Sequence, residues 1–392
     1  MMKTNQADVE RRDLMNTKTN AKAAVKVGVL GIAAPFIGMQ VGAGFASGQE
    51  LMSFFGNFGT KGLVGIVIVG FGYFMLGIMG ALTARRMDSP YYDAVFAPKN
   101  NKYFRWFSNA VIIFLGLFGC LPIMYAAGAS ILEMQFGIPT IVGSIFMAVI
   151  TLLSVMFGTR GFVNSLSIAV PVLVISSVII CIYLLFNPVD PSADFNPVST
   201  NGLLQNWFLS SLLYLSYNML CGIAVVAPLG PLAKNDRTIF WGSLIAGATV
   251  CVMAIICCKA IMENYDLVKD VDMPTAVMAS KLSPIAGAVY AIALFLAVYT
   301  TAAASLFALD VQLNRLKEMK INLKMSKPVM LLIITIVAYL CSYGGFVGLV
   351  NFLYPFTGYF GFVILAGLIY NFFTVTIKRK GKEEKLAGKE GE

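Results

Sequence analysis

Long apolar stretches alternate with short polar ones along most of the chain. Ten of these stretches are long enough to cross a bilayer as helices, because about 20 apolar residues span its hydrocarbon core. We number them segments 1 to 10: about Val25–Phe55, Gly62–Ala84, Trp106–Glu133, Pro139–Phe157, Phe162–Phe186, Trp207–Leu229, Ile239–Met262, Ile285–Leu313, Pro328–Tyr343 and Val347–Phe373. The pattern predicts an all-α integral membrane protein with about ten transmembrane helices, and a short surface helix over Met273–Leu282 between segments 7 and 8.

The segments fall into two sets of five around a loop rich in Pro, Asp and Ser. Since five is odd, the second set enters the membrane from the opposite side, which predicts a 5+5 inverted repeat. The predicted units are an N-terminal tail (1–24), a first repeat (25–186), an external loop (187–206), a second repeat (207–376) and a C-terminal tail (377–392).

Composition and charge place the chain in a membrane. It is 58% hydrophobic and only 12% charged, whereas soluble domains carry about 25% charged residues. The net charge of +9 by itself suggests a nucleic-acid-binding protein, but the positions of the 29 Lys and Arg residues indicate otherwise. All but Lys61, Lys259, Lys269 and Lys281 fall in tails and loops on one side of the predicted topology. Positive charge marks the cytoplasmic side, so we predict a multi-pass cell-membrane protein with both termini cytoplasmic and no nucleic-acid partner.

Several kinds of chemistry are excluded by residues that the chain lacks. It has no His, and its seven Cys residues lie in apolar segments without a metal-type pair. Catalytic Ser-His or Cys-His arrangements and His-ligated zinc are therefore excluded. Because the membrane segments also lack a paired-carboxylate cluster, we predict that the protein is not an enzyme and has no cofactor.

Segment 1 contains an unusual polar, glycine-rich stretch from Gly38 to Glu50. Each interior glycine costs roughly 1 kcal/mol relative to alanine, and a carboxylate in a membrane helix costs roughly 2.5–3.5 kcal/mol. We interpret the stretch as a break in the helix, which is tolerated at membrane depth where backbone lines a cavity. Amides at the start of the following half-helix would bind a carboxylate. The alternative is that these glycines only allow close helix packing.

Segment 6 is the counterpart of segment 1 in the inverted repeat. Its most polar part, Ser216 to Asn218 followed by Gly222, lies near its middle and predicts a second discontinuous helix. Asn218 would satisfy freed backbone and contact substrate, and Tyr217 would cover the substrate together with Phe45. The predicted substrate-binding residues are Gly42, Ala43, Gly44, Phe45, Tyr217 and Asn218.

Segment 8 carries small and hydroxylated residues in its middle. Thr300 and Thr301, with free carbonyls, would make an oxygen-only site for a hard monovalent cation. Alternatively, these hydroxyls bond back to their own helix.

The stretch Val41-Gly-Ala-Gly-Phe-Ala-Ser-Gly-Gln-Glu50 resembles the signature of the YkvI-type uncharacterised bacterial membrane proteins. These resemble, more distantly, the amino acid–polyamine–organocation superfamily with the leucine-transporter fold. The resemblance implies one sodium ion bound by the residues that match that fold's motif: Gly38, Val41, Ala297, Thr300 and Thr301. Phe45 stands where a second sodium site requires Asn, and segment 5 has no Lys of the kind that some proton-coupled members use.

Two acidic residues are candidates for coupling or gating. Glu50 would line the outer vestibule or titrate during transport, or simply reach water at the interface. Asp310, at the cytoplasmic end of segment 8, would pair with an N-tail lysine such as Lys22 or Lys26, or end its helix in solvent.

The sequence thus predicts a sodium-coupled secondary transporter of a small zwitterion such as an amino acid, working by alternating access. The alternatives are a receptor subunit that senses through the same pocket and a proton-coupled transporter. The substrate and the oligomeric state remain open.

Overall fold

The computed structural model describes residues 26–89, 91–157, 160–189, 201–318 and 326–390, which fold as helices and connecting turns. The helices are α1 (Val29–Gln40), α2 (Ala43–Ser47), α3 (Gln49–Phe54), α4 (Thr60–Met87), α5 (Tyr92–Phe96), α6 (Lys102–Phe114), α7 (Leu121–Phe136), α8 (Thr140–Phe157), α9 (Arg160–Phe186), α10 (Trp207–Leu229), α11 (Asp236–Glu263), α12 (Tyr265–Val268), α13 (Pro274–Leu282), α14 (Pro284–Glu318), α15 (Lys327–Ser342) and α16 (Phe346–Glu390).

The helices follow the predicted apolar segments. In the described part of the chain, six helical stretches are long and apolar enough to cross a membrane, and they correspond to segments 2, 3, 6, 7, 8 and 10. Four shorter apolar helices correspond to segments 1, 4, 5 and 9. The chain is therefore a multi-pass membrane protein, while the count of ten and the inverted repeat remain predictions. The short helix α13 is also present, but it is largely buried rather than lying on the surface.

The predicted break in segment 1 is confirmed. α1 ends at Gln40, and Val41 has φ −99° and ψ 68°, which is outside the helical region. α2 begins at Ala43 and ends at Ser47. Gly48 lies between α2 and α3 and has a φ of +85°, a conformation that favours glycine. A Cβ at Gly48 would also lie 2.7 Å from Thr275 Oγ1. Segment 1 therefore consists of three short helices. The pair Val41 and Gly42 separates the first two, and Gly48 separates the second from the third.

The prediction of a second break, in segment 6, is wrong, because α10 runs without interruption from Trp207 to Leu229. Its polar residues make contacts that a helix accommodates. Asn218 Nδ2 donates to the carbonyl of Tyr214 in the preceding turn (3.1 Å), and Ser216 Oγ donates to the carbonyl of Gly358 on α16 (2.8 Å). Gly222 allows α1 to approach, since a Cβ there would lie 2.5 Å from Gln40 Nε2. Polarity in segment 6 thus reflects helix packing and not a broken backbone.

Neighbouring helices hold the broken segment by bonding to its carbonyls. Ser210 Oγ on α10 donates to the carbonyl of Phe54 at the end of α3 (2.7 Å). Tyr290 Oη on α14 donates to the carbonyl of Ala46 in α2 (2.6 Å). Buried backbone groups require such partners, so α10 and α14 fix the position of α2 and α3 between them.

Segments 3 and 10 each depart from regular α-helical hydrogen bonding beside the broken segment 1. Between α6 and α7 the chain forms a π-helical turn, Leu115–Cys120, a feature often found at functional sites. In α16, Pro355 has no N–H to donate to the carbonyl of Asn351. Asn201 Nδ2 donates to that carbonyl instead (2.8 Å). The backbone of α16 extends as a helix to Glu390, through the stretch predicted as a C-terminal tail.

Candidate functional site

A cavity of about 70 Å³ lies where the broken segment meets four other membrane helices. Its wall comes from α1, α2 and α3, from the π-helical turn and α7, and from the middle parts of α10, α14 and α16. The lining residues are Met39, Gln40, Gly42, Ala43, Gly44, Glu50, Leu115, Cys120, Met124, Tyr217, Asn218, Cys221, Thr301 and Tyr354. We call this space the central cavity. Its position at the break of segment 1 agrees with the role predicted for that break.

Glu50 is the acidic residue of the central cavity. The side chain projects from the first turn of α3 and is only 6% exposed. Its Oε2 accepts a hydrogen bond from Tyr217 Oη (2.8 Å) and a longer one from Tyr214 Oη (3.5 Å). Its Oε1 lies so close to Gly44 that a Cβ there would be 1.8 Å away. The carboxylate is therefore buried, held by two tyrosines, and pressed against the glycine of the break.

Gln40 and two tyrosines supply other polar and aromatic parts of the wall. Gln40 is 3% exposed; its Nε2 contacts Met219 Sδ (3.7 Å), and its Oε1 has no hydrogen-bond partner. The rings of Tyr217 and Tyr354 stack with centroids 4.5 Å apart and an interplanar angle of 10°. The wall thus combines a carboxylate and an unsatisfied amide oxygen with aromatic surface.

The structure brings together most of the predicted substrate-binding residues. Gly42, Ala43, Gly44, Tyr217 and Asn218 all line the central cavity.

Phe45 requires a correction, because it lies outside this lining. Its side chain is buried beside Tyr73, Val250 and Cys251 in a separate small space between α4 and α11. Successive residues of a helix point in different directions, and Phe45 points away from the central cavity, towards α4 and α11. Phe45 is a packing residue of the fold.

The residues predicted to bind sodium are partly assembled. Thr301 lines the central cavity, whereas Gly38, Val41, Ala297 and Thr300 lie outside its lining. Thr300 is fully buried, and its Oγ1 donates to the carbonyl of Ala297 (3.0 Å). This is the bond to the same helix that the sequence left open as an alternative, and it still leaves oxygen lone pairs for a cation. The sodium site therefore remains a prediction.

Asp310 does not end its helix in solvent. Its side chain is 4% exposed, and Oδ2 pairs with Lys327 Nζ at the start of α15 (2.8 Å). Of the two lysines considered as partners, Lys22 lies outside the described residues, and Lys26 is exposed. The observed pair joins α14 to α15.

Sequence reasoning missed several residues of the central cavity. Cys120, Met124, Cys221 and Tyr354 line the cavity, but none of them is a candidate site residue in the sequence analysis. Two signals were present in the sequence. Gln40 is a lone amide next to the break, and Tyr354 precedes the proline of segment 10.

Comparison with known sequences supports the resemblance seen at the break. No protein-family model matches the chain. The uncharacterised membrane protein YkvI of Bacillus subtilis (strain 168) is 25% identical over 343 residues, which cover 85% of this chain and 93% of the relative. The uncharacterised protein YyaD of the same organism is 24% identical over 335 residues, covering 85% of this chain and 94% of the relative. Both relatives match nearly end to end.

Solved structures with a similar fold are transporters. A nucleobase-cation-symport-1 family transporter, closed with bromovinylhydantoin bound, has a TM-score of 0.58 at 14% identity, covering 86% of this chain and 75% of its own. A Na⁺-coupled sialic acid symporter has a TM-score of 0.57 at 12% identity, covering 91% of both chains. The manganese transporter of Eremococcus coleocola has a TM-score of 0.52 at 13% identity, covering 88% and 78%.

At such low identities the structural likeness shows the fold, and the fold alone does not select among these solutes and ions. YkvI is a membrane protein by name, and the structural neighbours described above are transporters. The chain is similar to the uncharacterised proteins YkvI and YyaD, and its fold is similar to that of structural neighbours with the leucine-transporter fold.

Proposed function

We propose that this protein is a secondary active transporter that carries a small amine-bearing solute across the cell membrane, with sodium as the coupling ion and both termini in the cytoplasm. Amino acids are the solute class that the sequence predicts. One observation carries the proposal: the broken segment 1 lines a cavity that contains a buried carboxylate, Glu50. Ionisable residues buried in membrane proteins typically mark the pathway of a substrate or an ion.

Alternating access requires contacts that close one end of the pathway and break when it opens. On the predicted cytoplasmic side, Val27 bonds to the turn between α10 and α11 through the carbonyl of Leu232 (2.9 Å) and the amide of Lys234 (3.2 Å). Arg85 at the end of α4 pairs with Asp236 of α11 (3.0 Å). We interpret these contacts as closing the cytoplasmic end of the pathway, because they join the start of α1 and the end of α4 to the second half of the chain.

The sodium part of the proposal rests on Thr301 and on its neighbour Thr300. Thr301 lines the central cavity, and the Thr300 hydroxyl lies within one helical turn of the Ala297 carbonyl. A Na⁺-coupled symporter is among the structural neighbours. These observations agree with a cation bound beside the solute, between α14 and the break.

The test is uptake into proteoliposomes after a thermal-shift screen of amino acids and simple amines, each in sodium and in potassium. We expect uptake to follow an inward sodium gradient. Thr300→Val keeps the shape but loses one oxygen ligand, and a bond to a charged group contributes about 1.5–3 kcal/mol. The sodium concentration for half-maximal uptake should then rise by about 10- to 100-fold.

Thr357→Val is the matched control, because Thr357 is also buried and also bonds to its own helix, through the carbonyl of Leu353 (2.7 Å). Sodium dependence should be unchanged in that variant. Uptake that ignores sodium and follows a pH gradient would move the coupling role to Glu50. Binding without uptake would identify the protein as a sensor.

A further inference from the structure

We propose that Glu50 is the anionic partner of the solute's ammonium group, so that the central cavity selects a small organic cation over an anion or a zwitterion. That the occupant is a transported solute rests on the proposed function. The tests below measure binding and charge preference in the cavity and do not depend on transport. It reverses the orientation expected from the sequence, in which the break itself receives a carboxylate of the solute.

The break is already occupied by a carboxylate of the chain. A Cβ at Gly44 would lie 1.8 Å from Glu50 Oε1, 2.7 Å from Cδ and 3.1 Å from Cγ. The whole end of the Glu50 side chain therefore covers Gly44. A solute carboxylate approaching the same backbone would meet the Glu50 side chain and, when Glu50 is ionised, a like charge at close range, which is unfavourable in a site of low dielectric constant.

An ionised Glu50 would have no opposite charge beside it in the described cavity wall. No Lys or Arg is among the residues that line the central cavity. Tyr217 and Tyr214 donate hydrogen bonds to Oε2 but bring no positive charge. Buried charges in proteins are normally paired, so an occupant that carries a positive charge would stabilise the ionised form of Glu50.

The remaining polar groups of the wall also favour a donor as occupant. Gln40 Oε1 is a buried acceptor without a hydrogen-bond partner. The side-chain amide nitrogens each already have one contact, because Asn218 Nδ2 donates to the carbonyl of Tyr214 (3.1 Å) and Gln40 Nε2 contacts Met219 Sδ. An ammonium group supplies donors to Gln40 Oε1 and to Glu50 without needing any donor itself.

The rest of the wall is better suited to the hydrocarbon part of an organic ion than to a metal ion. Met39, Leu115 and Met124 are apolar, and Tyr217 and Tyr354 present aromatic surface. Hard metal cations require several oxygen ligands, whereas an organic ammonium ion gains from apolar contact and from aromatic rings. The occupant is therefore a small organic cation.

The test measures the charge preference of the cavity at one of its own thiols. Cys221 lines the central cavity, whereas Cys341 lies outside its lining on α15. Variants that keep only one of these two cysteines are treated with aminoethyl methanethiosulfonate, a cation, and sulfonatoethyl methanethiosulfonate, an anion. Each thiolate forms a mixed disulfide and releases methanesulfinate. A change in thiol acidity affects both reagents alike, so the ratio of their rates reports the charge preference.

We expect the cation-to-anion rate ratio to be about tenfold or more higher at Cys221 than at Cys341. Glu50→Gln should return the ratio at Cys221 to the value at Cys341. The matched control Glu263→Gln, which neutralises an exposed carboxylate at the end of α11, should leave it unchanged. Equal ratios at the two thiols, or a Cys221 ratio that survives Glu50→Gln, would overturn the proposal.

A second measurement requires no reactive thiol. Butylammonium should raise the melting temperature of the purified protein, butyrate and aminobutyrate should not, and Glu50→Gln should abolish the butylammonium shift. A larger shift with butyrate or aminobutyrate would contradict the assignment. If the cation preference is found but sodium-driven uptake is not, the transport function fails while the site assignment stands.

Discussion

Replacing Gly44 with alanine tests the contact on which the site depends. The new Cβ would lie 1.8 Å from Glu50 Oε1, whereas ordinary contact begins at 3.4 Å, so the carboxylate would have to move by about 1.6 Å, the difference between those distances. Cγ of Glu50 is also too close, at 3.1 Å, and a small rotation of the carboxylate would not relieve the clash. The movement would break the 2.8 Å bond from Tyr217 Oη.

The expected loss follows from that bond. A hydrogen bond to a charged group contributes about 1.5–3 kcal/mol, so Gly44→Ala should lower the free energy of unfolding by about 2 kcal/mol. The measurement is a denaturant titration in mixed micelles, followed by tryptophan fluorescence. Gly42→Ala is the matched control, because a Cβ at Gly42 would meet nothing within 4 Å and its φ of −82° is open to alanine.

A double-mutant cycle separates the contact with Glu50 from a general effect of alanine on the break. In a Glu50→Ala background the clash is absent, so Gly44→Ala should then have little effect. We expect a coupling energy of about 1.5–3 kcal/mol between the two positions. Additivity within about 0.5 kcal/mol, the usual result for independent sites, would refute the reasoning.

Two further predictions concern the tyrosines and the topology. Tyr217→Phe, which removes a 2.8 Å bond to Glu50, should destabilise the protein by about 1.5–3 kcal/mol, whereas Tyr214→Phe removes only a 3.5 Å contact and should have a smaller effect; equal losses in denaturant titrations would contradict this order. In a background without native cysteines, Gln205→Cys in the predicted external loop should be labelled on intact cells, and Lys234→Cys should be labelled only after permeabilisation; the opposite pattern would invert the topology.

The sequence alone was sufficient for the properties that depend on local composition. A helix that crosses a bilayer needs an apolar stretch of a certain length, so the apolar segments located the membrane helices to within a few residues. The break at Val41 and Gly42 was also predictable, because glycines and a carboxylate in one membrane segment are costly unless the helix is interrupted. The match of that stretch to YkvI-type proteins indicated the fold.

Only the tertiary structure decided what the polar residues do. Ser216 and Asn218 indicated a second break, yet both bond to helices, one to α16 and one to its own preceding turn. Glu50 was predicted to line the outer vestibule, to titrate during transport or to reach water, and the structure places it over Gly44 in the wall of the central cavity. Hydrogen bonds and close contacts between residues distant in sequence depend on which helices become neighbours. The charge and shape of the central cavity arise from side chains of several packed helices, and no single segment specifies them.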